Sequence, residues 1–213
     1  MNFEIFNTLV SKITNLPLPG QEAHNKMSPL IRIRELEKTD IHSRNPRKAA
    51  VASLFYPDKS NNTRLLLILR KTYKGVHSNQ VGFPGGKKEK EDSGLLYTAL
   101  RETHEEVGII PEKISVLKPL TEVYIPPSNF IVKPFLGLIH EIPQFIPQPT
   151  EVELIIEVML SEFLDEKSVM YKKINTSYAQ QIEIPVFMLN GHMVWGATAM
   201  ILSEVKELLK IAL

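Results

Sequence analysis

The chain has 213 residues, 25 basic against 24 acidic side chains, 43% hydrophobic and 23% charged residues, and no cysteine. This composition excludes a disordered chain, which combines low hydrophobicity with high net charge, and the missing cysteines exclude disulfides, thiol nucleophiles and Cys-based zinc sites. A net charge of +1 gives no footprint for duplex DNA or an anionic membrane, so neither nucleic acid nor membrane is an expected partner.

From Met1 to Leu16, the residues Phe3, Phe6, Leu9/Val10, Ile13 and Leu16 recur at helical spacing, with no basic leader before them. An amphipathic N-terminal helix is expected, stopped at Leu16-Pro17-Leu18-Pro19-Gly20. The polar residues from about 21 to 47, which carry Arg32, Arg34, Arg44 and Arg47, show little periodicity. They read as an extended connection, so that 1–45 packs on a main domain formed by 46–213. Ala49–Tyr56 and Thr63–Arg70 are expected as a hairpin about the turn formers Pro57 to Asn62. The longest apolar run, Leu65 to Leu69, is far short of the roughly 20 residues of a membrane span. A soluble cytoplasmic protein, monomer or homodimer, is the expectation.

Asp92 to Val107 is expected as a helix with Asp92 or Ser93 as N-cap and Gly108 as its stop, its core-facing stripe being Leu96, Ala99/Leu100, Thr103 and Val107. Strands are expected at Ile114–Val123, Val132–His140, Val152–Met159 and Ile182–Leu189. The last turns through Asn190-Gly191, which suits a type I′ hairpin, into His192–Trp195. Thr198–Ile211 reads as a second amphipathic helix. Strands interleaved with helices give an α/β (α+β) architecture, a mixed sheet covered by helices.

The densest feature is Gly82-Phe83-Pro84-Gly85-Gly86-Lys87, then Asp92, then Arg101-Glu102-Thr103-His104-Glu105-Glu106-Val107-Gly108. With about 100° per residue and Leu96 at zero, Glu102, Glu105 and Glu106 fall between about 180° and 280°. Three like charges on one arc oppose helix formation by a few tenths of a kcal/mol per pair. A hard divalent cation such as Mg²⁺ resolves that conflict, since it takes carboxylate oxygens and is completed by waters and substrate phosphates. Gly85-Gly86 can bend the chain so that a backbone carbonyl approaches the same ion.

The whole string resembles the Nudix box of the Nudix hydrolases, written Gly-x5-Glu-x7-Arg-Glu-U-x-Glu-Glu-x-Gly-U with U aliphatic. Here Asp92 stands for the first glutamate, Thr103 for an aliphatic residue, and one extra residue lies between Gly86 and Arg101. Leu66 to Arg70 running through His77-Ser78-Asn79-Gln80 into Phe83 to Lys87 is similar to the second signature of the coenzyme A diphosphatases. So are Tyr124 to Phe130 with Pro134-Phe135, and Val194 to Ala199. The resemblance implies the Nudix fold, a mixed sheet between helices, and hydrolysis of the diphosphate of coenzyme A, or a derivative, to 3′,5′-ADP and 4′-phosphopantetheine. ADP-ribose, NADH or a nucleoside triphosphate are alternative substrates, and a nucleotide-sensing module without turnover is the alternative outside enzymes. It further implies Glu102, Glu106 and the Gly86 carbonyl as ligands of Mg²⁺ or Mn²⁺, Glu105 as a further ligand or the general base, and Arg101 as the partner that orients a carboxylate. Arg70 and Lys87, flanking the loop, and His77 within it, are expected on the substrate side.

Overall fold

A computed structural model of the chain describes residues 1–72, 79–174 and 181–213. Helix α1, Phe3–Val10, is capped by the Asn2 side chain, which accepts from the amides of Glu4 and Ile5, and it tightens into a 3-10 turn over Ser11–Asn15. The stretch expected to be extended instead folds into α2, Gly20–Asn25, and α3, Leu30–Glu37. Helices this short are not stable alone, and tertiary contacts hold them. The carboxylate of Glu204, fully buried, receives Gly20 N at 3.2 Å, the Thr121 hydroxyl at 2.6 Å and Thr121 N at 3.1 Å, and meets His24 Nε2 at 3.2 Å.

Strands β1, Arg47–Pro57, and β2, Thr63–Arg70, form the expected hairpin. After it come β3, Val81–Gly82, β4, Gly85–Lys87, and helix α4, Leu95–Val107. The strand expected over Ile114–Val123 is split into β5, Ile114–Pro119, and β6, Val123–Ile125, because Thr121 between them turns to Glu204. Then follow β7, Phe130–Ile139, β8, Val152–Met159, the short α5, Leu160–Leu164, and a meander of β9, Val169–Ile174, β10, Ile182–Leu189, and β11, His192–Val194. Asn190 and Gly191 both take positive φ in the β10–β11 turn, as a type I′ hairpin requires. Helix α6, Gly196–Ala212, packs against α2 and α1.

Among the described residues, β1 to β8 make one mixed sheet, with β1 and β7 parallel and the other pairs antiparallel, and β9 to β11 make a second sheet. The apolar run in β2 is continuous because both faces of the main sheet are covered. Leu66 and Ile68, with Ala50, Ala52 and Leu54 of β1, face the core under α4. Leu65 and Leu67, with Phe55, face the larger core under α1 and α6. The layers are helix, sheet, helix, and α4 lies where the β3–β4 turn reaches it.

Candidate active site

The buried arc of α4 is turned by about 60° from the expected stripe. Leu96 is 38% exposed, while Thr98, Ala99, Thr103, Glu106 and Val107 are buried. The turn carries Glu106 into the interior at 1% exposure, and a carboxylate tolerates that only when its oxygens are satisfied. Arg70 Nη1, from the end of β2, donates to Glu106 Oε1 at 2.9 Å, and Gly85 N donates to Glu106 Oε2 at 2.7 Å. Arg70 Nη2 closes the ring by donating to Gly85 O at 2.7 Å. Arg70 is thus a clamp on Glu106 and the glycine turn. Burial pushes the Glu106 carboxyl up to about 7; Arg70 and the Gly85 amide pull against it, and the charges of Glu102 and Glu151 add to it.

The glycines are required by contact. A side chain at Gly85, whose φ is +145°, would overlap the backbone of Ala50 and Val51, and one at Gly86 would overlap the Glu102 carboxylate. The turn and the helix therefore meet at Gly86 and Glu102 with no room for a Cβ. Gly108 takes φ +78° at the C-terminus of α4, as a helix-ending glycine does. The loop beyond β7 satisfies carbonyls of the last turn through Gln148 N to Glu106 O and Ile146 N to Val107 O, each 2.9 Å.

Asp92 does not cap the helix. Gly94 holds that position without a side-chain bond, and Asp92 turns inward. Its carboxylate accepts from Arg101 Nε at 2.9 Å, Arg101 Nη2 at 3.0 Å, the Thr98 hydroxyl at 2.8 Å and Glu89 N at 2.8 Å. The Arg101 bonds hold its carboxyl well below the usual range. Arg101 Nη1 spans Glu102 at 3.0 Å and Glu105 at 2.9 Å, and Nη2 donates to Lys87 O at 3.2 Å. One guanidinium thus ties the loop, through Asp92 and Lys87, to two glutamates of the helix.

The three glutamates do not share one environment. Glu102 is 14% exposed at its side chain, against Gly86, with its pKa raised chiefly by burial. Glu105 is 56% exposed, on the outer side of Arg101. Among the described residues, no three acidic or histidine side chains converge as a closed metal cage. What they offer is a set of hard oxygen donors, Glu102 and Glu106 with the glycine turn between them, that leaves positions for phosphates and water, which is how Mg²⁺ is ordinarily held. A fourth carboxylate, Glu151, was not picked out from the sequence. Its charge acts on both Glu102 and Glu106, and its neighbour Val152 pairs with Arg70 in the sheet. A single glutamate in a Thr-Glu-Val-Glu run carries no signal of that placement.

Beside the glycine turn lies a cavity of about 590 Å³, whose lining includes Arg70, Gly85, Gly86 and Lys87. Lys87 is exposed at its edge. His77 lies outside the described residues. Much of the remaining wall comes from the N-terminal stretch, Met27, Pro29 and Arg32, and from Trp195 to Ile201 about the start of α6.

The Nudix domain family matches residues 46–172. A Nudix hydrolase NudL of Photorhabdus laumondii is 33% identical over 147 residues, 69% of this chain and 78% of that protein. The human mitochondrial coenzyme A diphosphatase NUDT8 is 33% identical over 136 residues, 63% of this chain and 58% of its own length. A MutT/nudix family protein from Enterococcus faecalis has the same fold, with a TM-score of 0.52 at 17% identity over 92% of this chain and 76% of that one. Among the described residues no helix is long and apolar enough to cross a membrane. The family match takes in the glycine turn, all of α4 and more than half of the chain, and the protein is a member of the Nudix family, a pyrophosphohydrolase of diphosphate-containing substrates.

Proposed function

We propose that the enzyme hydrolyses the diphosphate of coenzyme A, or of a coenzyme A derivative, to 3′,5′-ADP and 4′-phosphopantetheine, with the domain 46–213 carrying the chemistry. The observation that carries this choice of substrate is the likeness to the human coenzyme A diphosphatase over 136 residues. The cavity beside the glycine turn supports it, being of a size that encloses a cofactor-sized ligand.

A diphosphate resists attack because its oxygens repel nucleophiles, so the site must neutralise charge and activate water. Glu102, Glu106 and the Gly86 carbonyl would hold Mg²⁺ or Mn²⁺, and the ion supplies charge neutralisation of the phosphates when bound. Arg70 and the Gly85 amide fix the Glu106 carboxylate, each through one of its oxygens. Arg101 orients Glu102 and Glu105 from the loop side. Glu105, more exposed than the other two, has room to take a proton from water or to join the ligands. Lys87 at the edge of the cavity meets a phosphate.

Incubation with coenzyme A and Mg²⁺ or Mn²⁺, with separation of products, should give 3′,5′-ADP and 4′-phosphopantetheine. Cleavage of ADP-ribose or NADH with no 3′,5′-ADP from coenzyme A would reject this substrate and leave a Nudix hydrolase of another nucleoside diphosphate derivative.

A further inference from the structure

Most of the cavity wall is apolar, with Val81, Phe83, Ile184 and Met200 among its residues, and Trp195, between β11 and α6, belongs to it. Trp195 is the single tryptophan of the chain and is half-buried. Among the described residues, Phe6 packs on Phe3 and Phe55, Tyr56 on Phe145 and Phe163 on Phe187, while Arg47 covers Phe130. The Trp195 indole meets no ring or cation among them, and its N–H finds no acceptor there.

The backbone about this indole is fixed. Val194 pairs with Phe187 in the second sheet, and Gly196 takes φ +64° as the chain turns into α6. A side chain at Gly196 would meet no atom within 4 Å, so open space continues along the peptide that follows Trp195. Further into α6, the Thr198 hydroxyl donates to Val81 O at 3.1 Å. A side chain at Gly82 would lie 3.7 Å from Arg70 Nε and 3.9 Å from Thr198 Oγ1. The start of α6 is therefore joined to the strand that leads into the glycine turn, near the arginine that clamps Glu106.

An indole that lines an apolar cavity with no partner of its own gains most from a flat ring laid against it, which adds stacking to apolar burial. Coenzyme A has one such ring system, its adenine. The pantetheine arm carries amides and no ring, and an apolar wall would leave those amides short of hydrogen bonds. We infer that Trp195 is a specificity-determining residue that stacks on the nucleobase of the substrate while the glycine turn and α4 hold the diphosphate. This rests on the function proposed above for coenzyme A as the source of the base, and it deepens that reading at the nucleoside end.

Because the chain has one tryptophan, emission excited where tyrosine does not absorb reports Trp195 alone. The full chain with Mg²⁺ is titrated with 3′,5′-ADP, with 4′-phosphopantetheine and with ribose 5-phosphate. 3′,5′-ADP should quench the emission saturably, and the two compounds without a base should leave it unchanged. Trp195→Ala should raise KM for coenzyme A by about tenfold with kcat within about threefold, and Trp195→Phe, which keeps a ring, should recover most of that loss. Absence of quenching by 3′,5′-ADP would overturn the proposal, and quenching by 4′-phosphopantetheine instead would assign the indole to the other arm. A Trp195→Ala enzyme whose KM stays within about twofold of wild type would also overturn it. Should Trp195→Ala not fold, the titrations of wild type decide. Should coenzyme A not be cleaved, that substrate fails, while 5′-AMP, which carries the base shared by ADP-ribose and NADH, still judges Trp195: saturable quenching supports the stacking, and none overturns it.

Discussion

Asp92→Ala should damage stability and turnover together. The carboxylate is buried and receives two bonds from Arg101, one from Thr98 and one from the Glu89 amide. Deleting one partner of a fully buried ion pair costs about 3–5 kcal/mol. Arg101 is 16% exposed and keeps Glu102 and Glu105, so the lower end, about 3 kcal/mol, applies here. At roughly 2–4 °C per kcal/mol for a chain of this size, the melting temperature should fall by about 6–12 °C. Turnover should fall by about 10²-fold, because a guanidinium released from the loop no longer fixes Glu102 against Gly86, and an error of about 1 Å in a catalytic group costs that much. Asp92→Asn keeps the shape without the charge and should lie between. Thermal melts followed by circular dichroism, with steady-state rates on the same samples, measure both. A variant melting within about 2 °C of wild type would refute the anchoring role. A destabilised variant with unchanged kcat would show that Arg101 is held by other means.

Two further outcomes are expected. Glu106→Gln should cut turnover by at least about 10²-fold while circular dichroism still reports a folded protein, since the amide is isosteric; near wild-type rates would remove Glu106 from the reaction. Acid should unfold the enzyme in a defined window. The Asp92 carboxyl is held low by Arg101, and that of Glu204 is held low by His24 and Thr121, against burial that pushes it up. Depressed carboxyls stabilise fully above their unfolded values of about 3.9 and 4.3 and lose that contribution as pH falls through the folded ones. Urea midpoints should therefore decline below about pH 4, whereas from about pH 7 to 5 the raised Glu106 carboxyl takes up a proton in the folded state and midpoints should rise as pH falls; no decline below about pH 4 would contradict both assignments.

Much of this was legible in the sequence, for identifiable reasons. β8 and β10 occupy the expected residues, with Pro149-Thr150 shortly before β8 and Asn190-Gly191 directly after β10 as turn formers. The sequence of α2 and α3 reads as extended because their few apolar residues stand among polar and charged ones, and the buried Glu204 that holds α2 lies 180 positions beyond His24. The face of α4 was misjudged at Leu96 because hydrophobicity counts a glutamate as outward. Only the position of Arg70 and the Gly85 amide shows that Glu106 can be buried. Asp92 looked like a cap for the same reason, since its partner Arg101 is nine residues away. The cavity had no sequence signature, being assembled from stretches near 27–32, 80–87, 125–132 and 195–201.

The wall shared by Met27 and Ile201 also bears on synthesis. At roughly 5–20 residues per second, the 174 positions between them take on the order of ten to thirty-five seconds to emerge. During that interval the glutamates of α4 are already made, yet the cavity beside the glycine turn lacks the wall from Trp195 to Ile201. A ribosome-bound chain that ends before α6 would therefore carry the acidic cluster without an enclosed site. The apolar face of α1, with Ile13 and Met27 after it, packs in the core that α6 completes, and these are the surfaces a chaperone would meet first.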